Sequence, residues 1–264
     1  IDKICLCLYT MLNFFFDKTK NKASTSRLKT VSIEETYGRH ILEKSIKGLV
    51  FEKVLDIGVG EGKDLETVHK LFPSCSAYGV DIKETHFPTL KKAKVHVKQL
   101  NIECQKLPFN NNTFDLIIAN QVLEHTKELF WINHEVFRTL KVGGIFFIGV
   151  PNGLAFHNRL LGNFGMHPTC SKSISAHVRT FSKNDIFSFY TFIGEKFCKV
   201  DSFFGSQFYP FPKKISRVLA NLFPSYATSI FFTVKKTSEY SHEFLDHVLD
   251  AQLDTNFFLG NKIR

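Results

Sequence analysis

Between residues 33 and 49 the apolar positions fall at Ile33, Tyr37, Ile41 and Ile46, the spacing of one helical face. From residue 52 the period changes. Short apolar runs at Lys53–Ile57, 77–80, 95–100, 114–119 and 144–150 predict strands, and the segments Lys63–Leu71, 84–92 and 127–140 predict the helices between them. Strand alternating with helix implies a parallel sheet covered on both faces, an α/β architecture. Further along, Lys183–Phe192 reads as a helix and 197–204 and 229–234 as two more strands, separated by a Pro-rich piece and a short amphipathic helix at 212–222. Residues 241–252 are helical in pattern. Residues 151–182 hold Gly, Pro, His and Ser without periodicity and read as a long irregular insertion, a length that marks a functional or disordered loop. The implied organisation is an N-terminal apolar segment and polar linker (1–32), one α/β domain (33–236) with insertions at 151–182 and 205–227, and a helical C-terminal tail (237–264).

The most informative segment is Val54-Leu55-Asp56-Ile57-Gly58-Val59-Gly60-Glu61-Gly62. A buried strand running into a glycine turn brings bare backbone up to a polar cofactor. A dinucleotide fingerprint would place its third glycine at position 63, which is Lys63. The spacing here is G-x-G-x-G with Asp56 two residues ahead. Other segments follow in order: Ala77-Tyr-Gly-Val-Asp81-Ile82, Leu107-Pro-Phe with Phe114-Asp115, Asn120-Gln-Val-Leu-Glu124-His125, Arg138-Thr-Leu-Lys-Val-Gly143-Gly144, and His177-Val-Arg179-Thr-Phe. This ordered set, spanning about residues 35–235, resembles the class I S-adenosylmethionine-dependent methyltransferases, in the small-molecule branch of types 11 and 23.

The resemblance implies a Rossmann-like, seven-stranded, mostly parallel sheet with helices on both faces and the last strand antiparallel. It implies S-adenosyl-L-methionine as cofactor, with Asp56, Gly58, Gly60 and Gly62 forming the donor turn. Asp81 would accept from the ribose hydroxyls, with Ile82 beside it. Asn101 stands where the family usually places an adenine-binding Asp; its amide oxygen and the Ile102 N–H would meet the adenine, with loss of a charge-assisted bond, and Glu103 is the alternative acceptor. Asn120 begins the segment that faces the methyl-donor end. Val142 replaces the usual Pro of the glycine turn before the fifth strand.

Methyl transfer from a sulfonium needs no covalent nucleophile, only an acceptor held in line and shielded from water, with a base where the acceptor is a hydroxyl. His125 and His177 are the candidate catalytic bases. Against this, His125 suits a structural hydrogen bond at a helix start and His177 an exposed loop. Arg179 suits a clamp on a substrate carboxylate or phosphate, or a surface ion pair. Glu124 reads as a local hydrogen-bond acceptor. The preferred acceptor is a small molecule, sugar- or lipid-linked, received by 151–182 and the Phe-rich 203–223 stretch.

Composition adjusts this picture in three places. The net charge of +9 raises the prospect of nucleic acid and other anionic partners. Yet Asn120-Gln121-Val122 stands where amino-methylating DNA enzymes carry Pro-Pro-aromatic, and no RNA-binding module is visible, so RNA or protein methylation and a non-catalytic binding module remain as alternatives. The 29 Phe residues suit core packing, an apolar cleft or a membrane-facing surface. The six Cys residues show no C-x-x-C and His167-Pro-Thr-Cys170 is a lone pair, so no metal is expected and a reducing cytoplasm is. Residues 4–16 are apolar but shorter than the ~20 residues a spanning helix needs, and no small-residue cleavage site follows. With Lys18, Lys20 and Lys22 behind them they suit a helix on an anionic membrane surface or one packed on the domain. The chain begins at Ile1, so a longer N-terminus is expected.

Overall fold

The computed structural model describes residues 33–171, 175–253 and 258–260; the apolar segment at 4–16 and the linker lie outside them. Seven strands form one sheet: β1 Lys53–Ile57, β2 Ser76–Asp81, β3 His96–Gln99, β4 Phe114–Asn120, β5 Leu140–Pro151, β6 Cys198–Ser206 and β7 Ser229–Lys236. Their order is β3-β2-β1-β4-β5-β7-β6. β7 runs antiparallel to both β5 and β6, and the other pairings are parallel. This is the seven-stranded, mostly parallel sheet that the resemblance implied.

The central strands β1, β4, β5 and β7 are largely apolar because both of their faces are covered. Leu55, Ile57, Ile117, Ala119, Phe146 and Ile148 point to one side. There they meet α5 (Leu129–Thr139), α7 (Lys183–Phe192) and α9 (Glu243–Asp250) through Val136, Phe137, Ile186, Tyr190 and Phe244. Val54, Leu116, Ile118 and Phe147 alternate to the other side, against α2 (Arg39–Ile46), α3 (Lys63–Leu71) and α4 (Phe87–Lys92). The Phe-rich composition is largely this interior, since Phe146, Phe147, Phe197, Phe231, Phe232 and Phe244 are all fully buried.

Three expectations need correction. The helix predicted over 33–49 is two helices, α1 (Ile33–Tyr37) and α2, split at Gly38. Gly38 takes φ +53, and any side chain there would collide with the Phe231 ring. The stretch 151–182 contains a helix, α6 (Phe156–Asn163), that apolar periodicity hides because it buries His157 and Asn158 alongside Leu161. The Gly143-Gly144 turn lies inside β5, which starts at Leu140 and slips register against β4 between Phe114 and Leu116. The C-terminal tail is tied into the core, with Phe244 of α9 buried against Phe137, Tyr190 and Phe197.

α1 is anchored to α8 (Lys213–Leu222) by a buried acid. The Arg217 Nε and Nη2 donate to Glu35 Oε1 at 3.0 and 2.7 Å, and Ser206 Oγ donates to Oε2 at 3.3 Å. Burial alone would raise the Glu35 carboxyl, but the Arg217 hydrogen bond and the charges of His40, Arg217 and Lys213 outweigh it and hold it below the usual range.

His134 of α5 is buried between Trp131 and His242, with its Nδ1 2.9 Å from the Tyr240 hydroxyl. Burial, reinforced by His242, Arg138 and Lys106 against the opposing charge of Glu135, pushes its imidazole down to about 4. The unfolded chain therefore binds a proton between pH 6.5 and 4 that the folded chain refuses. Stability falls as pH drops through that window, by roughly 2–3 kcal/mol for this group. In urea melts at pH 7 and pH 4.5, His134→Gln should show a smaller pH-dependent loss than the parent; an equal loss would remove His134 as its source.

Candidate active site

Because β1, β2, β4 and β5 are parallel, their C-terminal ends share one edge, where open α/β sheets bind ligands. The glycine turn leaves β1 at this edge. Gly58 and Val59 N–H groups donate to Val80 O at 2.8 and 3.2 Å, and Gly62 N–H donates to Val59 O at 2.7 Å. Gly58, Gly60 and Gly62 all take positive φ (+72°, +47° and +77°), a conformation strained for other residues. A Cβ on Gly58 would lie 2.5 Å from Val122 Cγ2, so the turn is packed directly against the segment after β4.

Asp81, at the tip of β2, holds this turn. Its Oδ2 accepts from Gly60 N–H at 3.0 Å and its Oδ1 from Lys83 N–H at 2.9 Å. Each carboxylate oxygen retains a second lone pair. Ile82 is exposed beside it.

Below the turn lie more carboxylates. Asp56 is buried, and burial, then the charges of Asp64 and Asp81, push its carboxyl well above the usual range despite Arg39. Asp64, in the first turn of α3, is also raised by burial, with Arg39 and Asn120 opposing the shift. Its Oδ1 accepts from Arg39 Nε at 2.9 Å and its Oδ2 from Asn120 Nδ2 at 3.0 Å. Asn120 Nδ2 also donates to Tyr37 O at 2.8 Å, while its Oδ1 is buried without a hydrogen-bond partner. Gly149 is required beside it, since a side chain there would strike Asn120 Oδ1.

The sequence reading missed Tyr37, Arg39, Asp64 and Gln121. Asp64 was marked by its place two residues past Gly62. Gln121 carried no signal: it adopts φ +59, donates its N–H to Gly149 O at 2.7 Å, and buries an unpartnered Nε2.

Other candidate residues have partners within the chain. Asn101 Oδ1 accepts from Glu103 N–H at 3.0 Å, so the amide oxygen turns back on its own loop, beside Ile102. Glu103 Oε1 accepts from the Lys127 and Glu128 N–H groups at 2.7 and 3.3 Å, which commits it to the neighbouring loop. Arg179 donates from Nε to Thr126 O at 2.9 Å and from Nη2 to Lys127 O at 2.6 Å. It ties the 175–181 segment to the loop after β4. The guanidinium also walls a cavity of about 210 Å³ with Leu123, Phe181 and Tyr190, smaller than pockets that enclose whole small-molecule ligands.

Beyond Gln121 the chain forms a single 3-10 turn, Leu123–His125. Glu124 is 1% exposed, and burial pushes its carboxyl up to about 8. Its backbone oxygen accepts from Val178 N–H at 2.9 Å, which brings His177 onto His125: the two rings meet edge to face with centroids 4.7 Å apart. The structure thus places both candidate bases together, one residue beyond the buried Glu124.

Two motif segments lie at the opposite end of the sheet. Asp115, at the start of β4, accepts from Glu52 N–H, Lys53 N–H and Lys141 Nζ at 2.9, 2.9 and 2.7 Å. Arg138 donates to Leu107 O and Phe109 O at 2.9 and 2.8 Å, and Glu135 Oε2 accepts from Leu107 N–H at 2.6 Å. These are structural clasps.

The family model for a methyltransferase domain matches residues 55–148. A malonyl-[acyl-carrier protein] O-methyltransferase of Legionella pneumophila is 23% identical over 137 residues, covering 50% of this chain and 48% of that protein. A sterol 24-C-methyltransferase of Schizosaccharomyces pombe is 30% identical over 103 residues, covering 36% of this chain and 26% of that one. The chain therefore spans half or less of the length of these curated relatives. Among solved structures, Burkholderia thailandensis 1,6-didemethyltoxoflavin-N1-methyltransferase, with 1,6-didemethyltoxoflavin and S-adenosylhomocysteine bound, has the same fold. It aligns with a TM-score of 0.53 at 12% identity, over 90% of this chain and 87% of that one. The 3-2-1-4-5-7-6 sheet, the G-x-G-x-G turn and the match at 55–148 together support a class I S-adenosylmethionine-dependent methyltransferase domain of the type 11 branch.

Proposed function

We propose that this protein transfers the methyl group of S-adenosylmethionine to a small, largely apolar acceptor of the lipid, sterol or quinone kind by direct in-line displacement. The observation that carries the donor half is the Asp81 carboxylate. It already grips the Gly60 and Lys83 backbone and keeps a lone pair on each oxygen for a diol. The glycine backbone, Asp64, Arg39 and Asn120 complete the donor end. S-adenosylmethionine supplies the electrophilic methyl when bound. The protein contributes position and exclusion of water.

The acceptor half rests on the two insertions, which meet at the same edge. Asn152 Nδ2 donates to Ser225 O and Ala227 O at 3.0 and 2.8 Å, and Arg159 lies 4.5 Å over the Tyr226 ring. The joined segments expose Leu154, Leu160 and Phe164 from one insertion and Ile215, Val218, Leu222 and Phe223 from the other. An apolar rim of this kind suits an apolar acceptor. The sterol methylated by the Schizosaccharomyces pombe relative is an acceptor of that class.

The test is incubation with methyl-tritiated S-adenosylmethionine and panels of sterols, quinols, fatty acids, sugars and RNA. Label should partition into the organic extract of the apolar panels. Label confined to RNA, to protein or to the sugar panel would overturn the acceptor class.

A further inference from the structure

We propose that Glu124, His125 and His177 form a binding site for a divalent transition cation of the zinc and cobalt class, set beside the glycine turn. One ligand atom from each of these residues lies within 4.8 Å of the other two. Glu124 and His125 are consecutive on the 3-10 turn after β4, and His177 is delivered from the far insertion by the hydrogen bond between Val178 N–H and Glu124 O. Their distance along the chain is why no metal spacing shows in the sequence. Neither His167 nor Cys170, the pair that spacing singled out, belongs to the cluster.

Three features single this cluster out from a chance gathering. Glu124 is buried, yet its Oε2 has no hydrogen-bond partner, an arrangement that is costly for a polar group unless something satisfies it. Its Oε1 lies 4.0 Å from His125 Nε2. Both imidazoles are oriented from behind: His125 Nδ1 lies 3.2 Å from Ala176 O, and His177 Nδ1 lies 2.9 Å from Cys170 O. A carbonyl only accepts, so each Nδ1 carries the proton. The lone pair of each neutral ring is therefore on Nε2, where a metal binds. A backbone carbonyl fixing the distal ring nitrogen is the usual support of a metal-bound histidine.

Two imidazole nitrogens and a carboxylate oxygen match the donor set that zinc and its neighbours accept. Bonds of about 2.1 Å require ligand atoms roughly 3.5 Å apart, so the rings must close by about 1 Å; His125, on the exposed side of the turn, has room to rotate. Three protein ligands leave a position open for water or an oxygen of a bound molecule, the form of reactive rather than closed structural sites. Val122, two residues before Glu124, is the side chain packed on Gly58, so the cation would sit next to the donor turn. This inference rests on the cluster alone and not on the proposed acceptor.

The test is titration of the chelator-treated full chain with cobalt chloride, read by visible ligand-field absorption, followed by competition with zinc chloride. One cobalt per chain is expected, displaced by zinc. Glu124→Gln, which keeps shape, and His177→Ala should each weaken cobalt binding by about 100-fold, while His167→Ala, at an exposed histidine outside the cluster, should leave it unchanged. Absence of ligand-field bands, or equal cobalt affinity in parent, Glu124→Gln and His177→Ala, overturns the site. Calorimetry with S-adenosylhomocysteine on the same samples reports the donor pocket separately, so failure of the cation site and failure of the proposed function remain distinguishable.

Discussion

Asp81→Ala is expected to weaken S-adenosylhomocysteine binding by about 100-fold in calorimetry while leaving the fold intact. Two effects add. The substitution removes the carboxylate that would receive the ribose diol, and hydrogen bonds to a charged acceptor are worth about 1.5–3 kcal/mol. It also releases the Gly60 and Lys83 N–H groups that Asp81 restrains at 3.0 and 2.9 Å, so the glycine turn loses its preset shape. Asp81 is only partly buried at the end of β2, and its sheet partners pair through backbone, so the melting temperature should change little. Asp81→Asn keeps one acceptor oxygen and should fall between parent and Ala. Affinity for Asp81→Ala within threefold of the parent would sink the ribose assignment.

Lys236→Met is expected to give the largest loss of stability among single changes away from the donor edge. The Lys236 ammonium is 1% exposed and donates to Asn112 Oδ1, Phe137 O and Leu140 O, each at 2.8 Å. The two backbone oxygens belong to the last turn and the end of α5, where carbonyls lack helical partners and a cation is favoured. Burial lowers the lysine against the opposing pull of Glu239 and Glu243. Methionine fills the volume but strands two buried carbonyls, at a cost of about 4 kcal/mol. Urea unfolding measures this directly, and a loss below about 1 kcal/mol would show that water replaces the ammonium at little cost.

The same lysine shows where sequence reading runs out. The strand predicted over 229–234 stops short of Lys235-Lys236; the structure extends β7 through Lys236 and buries its head group. Apolar runs were legible because both faces of the sheet are covered, so β1, α3 and α7 match their predicted bounds. α6 was not legible because its inward face is polar. In the site, residues on one continuous turn, Gly58 to Gly62, and a strand-end acid, Asp81, were visible as local pattern. Arg39, Asp64 and Asn120 form a unit only after three segments fold together. The cluster of Glu124 with His125 and His177 depends likewise on a contact between distant loops. Asp115 and Arg138 carry the family pattern and serve the opposite edge, holding β1 and the 107–111 loop.

Glu35 gives α1 a mechanical role. Its carboxylate is held by Arg217 of helix α8. Two residues on, the Tyr37 carbonyl holds Asn120, and past the left-handed Gly38 the Arg39 guanidinium holds Asp64. A helix of five residues is thus a tie rod with one end on α8 and the other on Asn120 and Asp64. Any shift of α8 strains either the Glu35 pair or the donor-side contacts. By thermodynamic reciprocity, whatever factor by which donor binding changes the position of α8 is returned as the same factor in donor affinity when α8 is moved.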